Sequence, residues 1–171
     1  MKLKTERKKL FDYLLYLGII VLGIIFDQVT KLLAVNFLKG EKSIKIIGSF
    51  LRLSYVENTG MAFGMMKNSR WIFMSVSIIA ILAMICYLLF AKNQPKLYTV
   101  SVSIITAGGI GNMIDRTLLG YVIDFVDVKY FAVFNGADSL VCIGAGLLIL
   151  AMLIDIVKES KKLKAEKKKK E

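Results

Sequence analysis

The chain reads as an all-α membrane protein of four transmembrane helices with a small extracytoplasmic β-hairpin, and three observations predict it. Four long apolar runs cover Leu14 to Phe26, Trp71 to Phe90, Leu97 to Ile114 and Leu140 to Val157. Each comes close to the ~20 residues an α-helix needs to cross ~30 Å of hydrocarbon, the first doing so once Phe11 and the residues through Leu33 are included. The sequence is 56% hydrophobic yet has a formal net charge of +11, so the charge must lie outside those runs. It does so in three lysine-rich clusters that a four-helix threading brings to one side.

The first helix, about residues 11–33, follows Lys2, Lys4, Arg7, Lys8 and Lys9. This start resembles a signal peptide, but no small-residue cleavage site follows and Asp27-Gln28-Val29-Thr30-Lys31 continues as helix, so a retained membrane helix is expected. A β element of about residues 42–56 comes next, with Ile44 and Ile46, then Leu51, Leu53 and Tyr55, alternating around Gly48-Ser49. That is the pattern of a short hairpin on the bilayer surface. Glu57-Asn58-Thr59-Gly60-Met61-Ala62-Phe63-Gly64 returns the chain to the membrane, with Trp71 as an interfacial anchor.

Helix two, about 71–90, is joined to helix three, about 97–114, by a link carrying Lys92 and Lys96. A connection from Asp115 to Asp138 leads to helix four, about 139–157, and a basic tail, 158–171, closes a chain expected to form a single integral membrane domain. The positive-inside rule puts both termini in the cytoplasm and the two long connections outside. The lysine tail is explained by topology and anionic headgroups, and no nucleic acid is expected.

The residue types narrow the chemistry. There is no histidine, which excludes Ser-His and Cys-His nucleophile systems and histidine-ligated zinc proteases. Cys86 and Cys142 sit inside apolar runs as small hydrophobes, so neither a disulfide nor a metal site is expected. Carboxylates remain: Asp115, Asp124, Asp127 and Asp138. Two aspartates close together in a poorly hydrated site do not both ionise easily, so one keeps its proton. Such a pair supplies a base for water and an acid for a carbonyl, the division of labour in aspartic proteolysis.

Five motifs in order, Asp27-x-x-x-Lys31, Asn58-Thr59-Gly60-x-Ala62-Phe63, Gly108-Gly109-x-Gly111-Asn112-x-x-Asp115-Arg116, Val122-Ile123-Asp124-Phe125 and Phe134-Asn135-x-Ala137-Asp138, closely resemble the bacterial lipoprotein signal peptidase (signal peptidase II) family. The resemblance runs from about Asp27 to Cys142. It implies an intramembrane aspartic protease of the bacterial cell membrane, with its site near the outer face. Its substrates would be prolipoproteins, cut just before a cysteine carrying diacylglycerol. By the same resemblance Asp124 and Asp138 are the catalytic pair, and Asn58, Gly60, Asn112, Arg116 and Asn135 line the site. Asp27, Lys31 and Asp115 take supporting roles, and the hairpin corresponds to the family's β-cradle. No cofactor is implied; the partners are the lipidated substrates and membrane lipids, and a monomer is expected. Thirteen residues separate Asp124 from Asp138, a shorter loop than the family leads one to expect. Ala132 stands where a proline is common, and Gly136 replaces an aliphatic residue, which should loosen the start of helix four.

Each assignment has a plainer rival. Asp138 precedes an apolar helix and would serve as an N-cap. Asp115 and Arg116 would form a charge pair at a helix end, and Asp127 would be the solvated competitor of Asp124. Asp27 and Lys31 would be an interfacial ion pair with Lys31 reaching outward. Gly108, Gly109 and Gly111 suit close helix packing better than a phosphate loop, and Met61, Met65 and Met66 suit gap filling. At the level of function, a small proton-coupled transporter is the alternative, since intramembrane acids also form ion pathways. A non-catalytic assembly factor is a third class, and it would survive loss of either aspartate.

Overall fold

The computed structural model describes residues 2–41, 43–60, 70–90 and 94–168. Four helices, α1 (Lys2–Leu38), α2 (Arg70–Phe90), α3 (Lys96–Leu118) and α4 (Gly136–Lys168), are accompanied by three strands, β1 (Ile44–Ile47), β2 (Leu51–Asn58) and β3 (Val122–Val128). By length and composition, Leu10–Leu38, Lys96–Leu118 and Gly136–Lys167 can cross a membrane. The 21 residues of α2 span about 31 Å, and its apolar stretch among the described residues is Met74–Phe90. Large apolar side chains such as Leu22, Ile79 and Ile156 point outward, as they do where lipid rather than water is the solvent. The chain is a multi-pass membrane protein.

α3 is the central helix, packed against α1, α2 and α4. Its buried hydroxyls make this possible: Ser101, Ser103 and Thr106 each donate to the carbonyl four residues back, Leu97, Thr99 and Val102, which satisfies them without a partner helix. Close approach comes from small residues. A Cβ on Gly108 would strike the Ala137 carbonyl and Val141, and one on Gly144 would lie 2.6 Å from Ile105 and 2.9 Å from the Ser101 carbonyl oxygen.

The expected hairpin is part of a three-stranded antiparallel sheet in the order β1-β2-β3. The third strand lies in the stretch read from sequence as a plain connection. β3 pairs with β2 through Leu51↔Val128, Val56↔Asp124 and Asn58↔Val122. Its β-branched Val122, Ile123, Val126 and Val128 supply the strand propensity. Gly48, at φ 52, turns the hairpin, closed by Phe50 N–H to the Ile47 carbonyl at 2.9 Å. One face of the sheet packs on the end of α1, where Ala34, Leu38 and Ile123 are buried among Val35, Leu53, Tyr55, Tyr121 and Phe125. α1 must therefore run beyond the hydrocarbon, and its 29 residues from Leu10 to Leu38 reach about 44 Å.

Two helix ends differ from the sequence reading in a way that matters. α3 continues through Leu118, so Asp115 and Arg116 belong to its last turn rather than to a loop. Gly120, at φ 89, then takes the left-handed position that stops the helix, and the Leu119 and Gly120 amides donate to the Asp115 carbonyl at 2.8 and 3.3 Å. α4 begins at Gly136, which places Asp138 inside its first turn. The cap is Asn135: the Asp138 amide donates to Asn135 Oδ1 at 2.9 Å, and the Asn135 amide donates back to Asp138 Oδ2 at 3.3 Å. This reciprocal arrangement is a capping box. Gly136 does not loosen this end. A Cβ there would lie 3.1 Å from Thr30 Oγ1 and 3.2 Å from Phe26 Cε1, so the bare glycine lets α4 start hard against α1.

Candidate active site

Four elements converge at the sheet end of the bundle: the C-terminal parts of α1 and α3, the strand β3 and the first turn of α4. β3 delivers Asp124, which is 2% exposed. Its Oδ1 accepts from Asn135 Nδ2 at 2.7 Å and its Oδ2 from Asn58 Nδ2 at 2.8 Å. Asn58, the last residue of β2, has its own amide oriented by the Gly60 backbone N–H, which donates to Asn58 Oδ1 at 2.8 Å. α4 delivers Asp138, half-buried, whose Oδ1 accepts from Asn112 Nδ2 at 2.8 Å. The two carboxyls thus meet at one residue, since Asn135 donates its side-chain amide to Asp124 and its backbone N–H to Asp138.

Burial raises the Asp124 pKa above the ordinary carboxylate range, and the charge of Asp138 adds to the effect. The amides of Asn58 and Asn135 and the cation of Lys31 oppose it without cancelling it. Burial prevails because a carboxylate loses its hydration when enclosed, while two neutral donors replace only part of it.

Behind the acids lies a buried ionic cluster. Lys31, 2% exposed, does not reach outward as an interfacial lysine would; its Nζ meets Asp27 Oδ2 at 2.8 Å, Asp115 Oδ2 at 2.9 Å and Asn112 Oδ1 at 3.0 Å. The ammonium has three donors and all are used. Asp27, 0% exposed, also accepts from the Ala137 backbone N–H at 2.7 Å, tying α1 to the start of α4. Asp115 accepts from the Ile123 backbone N–H at 3.1 Å, tying α3 to β3. Gln28 completes the set with 3.1 Å bonds to both Asp27 and Asp115. The sequence reading missed Gln28, although an amide next to Asp27 in a largely apolar helix was a signal for it.

Gly111 allows the cluster to exist, because a Cβ there would collide with the Asp27 carboxylate. Arg116 is half-buried on the last turn of α3. Asp127 stands apart: it pairs with Arg52 at 2.8 Å and accepts from Ser54 at 3.2 Å. Glu57, beside Asn58, takes Tyr55 Oη at 3.0 Å and Lys39 at 3.2 Å, and these bonds lower its pKa. The short connection after β3 folds back on the strand, Phe134 exchanging backbone bonds with Val126 at 2.8 and 3.1 Å. The motif residues Ala62 and Phe63, and Met61, Met65 and Met66, lie outside the described residues.

A bundle of apolar helices with a small sheet at one end, and two carboxyl groups held by one asparagine at their junction, defines an integral membrane protein whose candidate site is built of acids and amides. Among the described residues no cluster suits a metal ion. The sequence model described as signal peptidase (SPase) II matches residues 19–154, and the chain belongs to that family. The lipoprotein signal peptidase of Clostridium tetani is 43% identical over 150 residues, covering 85% of this chain and 96% of that protein. That of Caldanaerobacter subterraneus subsp. tengcongensis is 42% identical over 137 residues, covering 79% and 94%. A bacterial membrane enzyme solved by the in meso method has a TM-score of 0.73 and 35% identity, covering 81% of this chain and 92% of its own.

Proposed function

We propose that this protein is an aspartic endopeptidase that removes the signal peptide of prolipoproteins, cutting just before a diacylglyceryl-modified cysteine, with Asp124 and Asp138 as the catalytic pair. The observation that carries the reading is the bridge at Asn135, whose side-chain amide holds the desolvated Asp124 carboxyl and whose backbone N–H holds the half-exposed Asp138 carboxyl. Asp138, half-exposed and in the first turn of a helix, where the backbone N–H groups favour negative charge, is the carboxylate. Asp124 is the acid.

Water attacks the scissile carbonyl carbon while Asp138 takes its proton and Asp124 gives its own to the carbonyl oxygen. The resulting gem-diol collapses as the C–N bond breaks. Asp138 returns its proton to the leaving nitrogen, and Asp124 recovers one from a diol hydroxyl. The products are the signal peptide carboxylate and the amine of the lipidated cysteine. Both termini are cytoplasmic in this reading, the acids face the outer leaflet, and the diacylglyceryl anchor holds the scissile bond at their depth. A proton-coupled transporter would call for interrupted helices at mid-bundle. Here α1, α3 and α4 are continuous and the acids lie at the sheet end.

The test is cleavage of a purified diacylated prolipoprotein, read as a size shift. Asp124→Asn and Asp138→Asn should each lower the rate by about 10²–10⁴-fold, because the amide can neither accept nor give the transferred proton. Either variant cleaving near the parent rate while folded would end the dyad assignment.

A further inference from the structure

The catalytic scheme uses Asp124, Asp138 and the amides that hold them, and it leaves a lysine buried among carboxylates without a task. We propose that Lys31 is a positioning residue for the reaction: through Asn112 it sets the direction of the hydrogen-bond chain that reaches Asp138, and so fixes which aspartate holds the proton. This inference rests on the dyad reading above.

The geometry fixes the chain's direction. Asn112 Oδ1 receives Lys31 Nζ at 3.0 Å and Asn135 Nδ2 at 3.0 Å. Turning the Asn112 amide over would set its NH₂ against the ammonium and against a second NH₂, and its oxygen against the Asp138 carboxylate. Neither is tolerable in a buried site. With Lys31 present, Asn112 therefore shows its N–H to Asp138, at 2.8 Å, and Asn135 is left to show its N–H to Asp124, at 2.7 Å. Lys31 itself does not rotate away, because Asp27 and Asp115 grip it from two helices at 2.8 and 2.9 Å.

A network confined to structure would need only the ion pairs of Lys31 with Asp27 on α1 and Asp115 on α3. This one sends its third donor toward the acids. The charged groups around the chain are Asp27 and Lys31 on α1, Asp115 and Arg116 on α3, Asp124 on β3 and Asp138 on α4. β2 brings only the Asn58 amide, Glu57 being engaged with Lys39 and Tyr55. Lys31 bonds directly into the network that holds both acids.

Lys31→Met keeps the length of the side chain and removes the donor and the charge. Its single-substitution cost is two buried carboxylates without their cation, so Asp27→Asn with Lys31→Met is made in parallel. The double variant has the same cluster charge as the parent, one negative in each case, and keeps an oxygen for the Ala137 amide. Both variants are purified in detergent, and kcat and KM for a diacylated prolipoprotein are measured across pH. The expected result is a fall in kcat of about 100-fold from misplaced groups, with KM changed little. In addition the pH–rate bell should move to higher pH by about one unit in Lys31→Met, since loss of a cation makes neighbouring carboxyl groups hold their protons harder. A lowered rate with the bell unmoved in folded Lys31→Met would overturn the proposal, as would a folded double variant that keeps the parent kcat, either result leaving Lys31 a structural residue. So would failure of both variants to fold. Asp124→Asn and Asp138→Asn in the same assay separate the two claims, because their retention of activity would sink the dyad, whereas an unmoved bell sinks only the role of Lys31.

Discussion

Replacing Gly111 by alanine should unseat the acid that anchors α1 to α4, although it adds only one methyl group. The new Cβ would collide with Asp27 Oδ2, lie 3.0 Å from Asp27 Cγ and 3.4 Å from Ala137 Cβ. Asp27 has nowhere equivalent to go, since Ala137 N–H, Lys31 and Gln28 hold it at 2.7, 2.8 and 3.1 Å. Withdrawing it weakens at least one charged hydrogen bond, about 1.5–3 kcal/mol, and crowds a packed seam, about 1–3 kcal/mol. Against this stands a gain of roughly 0.5–1 kcal/mol for alanine over glycine within a helix. The net is a loss of about 3 kcal/mol, or roughly 6–12 °C in melting temperature at this chain length. Gly146→Ala is the internal comparison: nothing lies within 4 Å of its Cβ, so only the helix gain remains, about 0 to 4 °C upward. The assay is the fraction of monodisperse protein surviving a temperature series in detergent, read by size exclusion. A Gly111→Ala variant melting within about 2 °C of the parent, or a Gly146→Ala variant falling as far as Gly111→Ala, would refute the packing argument.

Three further outcomes can be checked directly. Asn58→Ala removes a donor that holds the Asp124 pKa down while leaving the burial that raises it; Asp124 then keeps its proton to higher pH, so the alkaline limb of the kcat/KM profile should move up, and a downward move would contradict the assignment of Asp124 as the acid. Asp127→Asn should retain most of the cleavage activity, its partners being Arg52 and Ser54, and should cost no more than about 1 kcal/mol in stability because the pair is partly solvated. With Cys86 and Cys142 replaced by serine, single cysteines at Ser49 and Lys129 should react with a membrane-impermeant thiol reagent on intact cells, whereas one at Lys164 should not; labelling at position 164 without permeabilisation would invert the proposed orientation.

Asp124 and Asp138 were legible as candidates because so few polar residues interrupt the apolar pattern, and because the absence of histidine removed most rival chemistries. Asn112 and Asn135 were legible as candidate site residues through the family resemblance of their motifs. Their hydrogen bonds were not, since an amide's partners depend on which elements meet. Lys31 was legible as the partner of Asp27 one turn away, but its inward direction was not. From the sequence a lysine one turn from the end of a membrane helix is expected to reach for water, and only the approach of Asp115, 84 positions away, makes an inward ammonium favourable.

The sequence by itself determined the membrane class, the four helices and the segregation of lysines, because these follow from local hydropathy and charge, which each residue carries wherever it sits. It also determined which side chains could perform acid–base chemistry. The tertiary structure decided that Val122–Val128 is a third strand, since a strand carrying Asp124 and Asp127 is stable only once β2 is there to pair with it. It decided that Asn135 rather than Asp138 caps α4, and that the two aspartates come together at a strand and a helix start. Those outcomes are long-range: they exist only where α1, α3, β3 and α4 close on one point, with glycines at 108, 111 and 136 leaving the room for it.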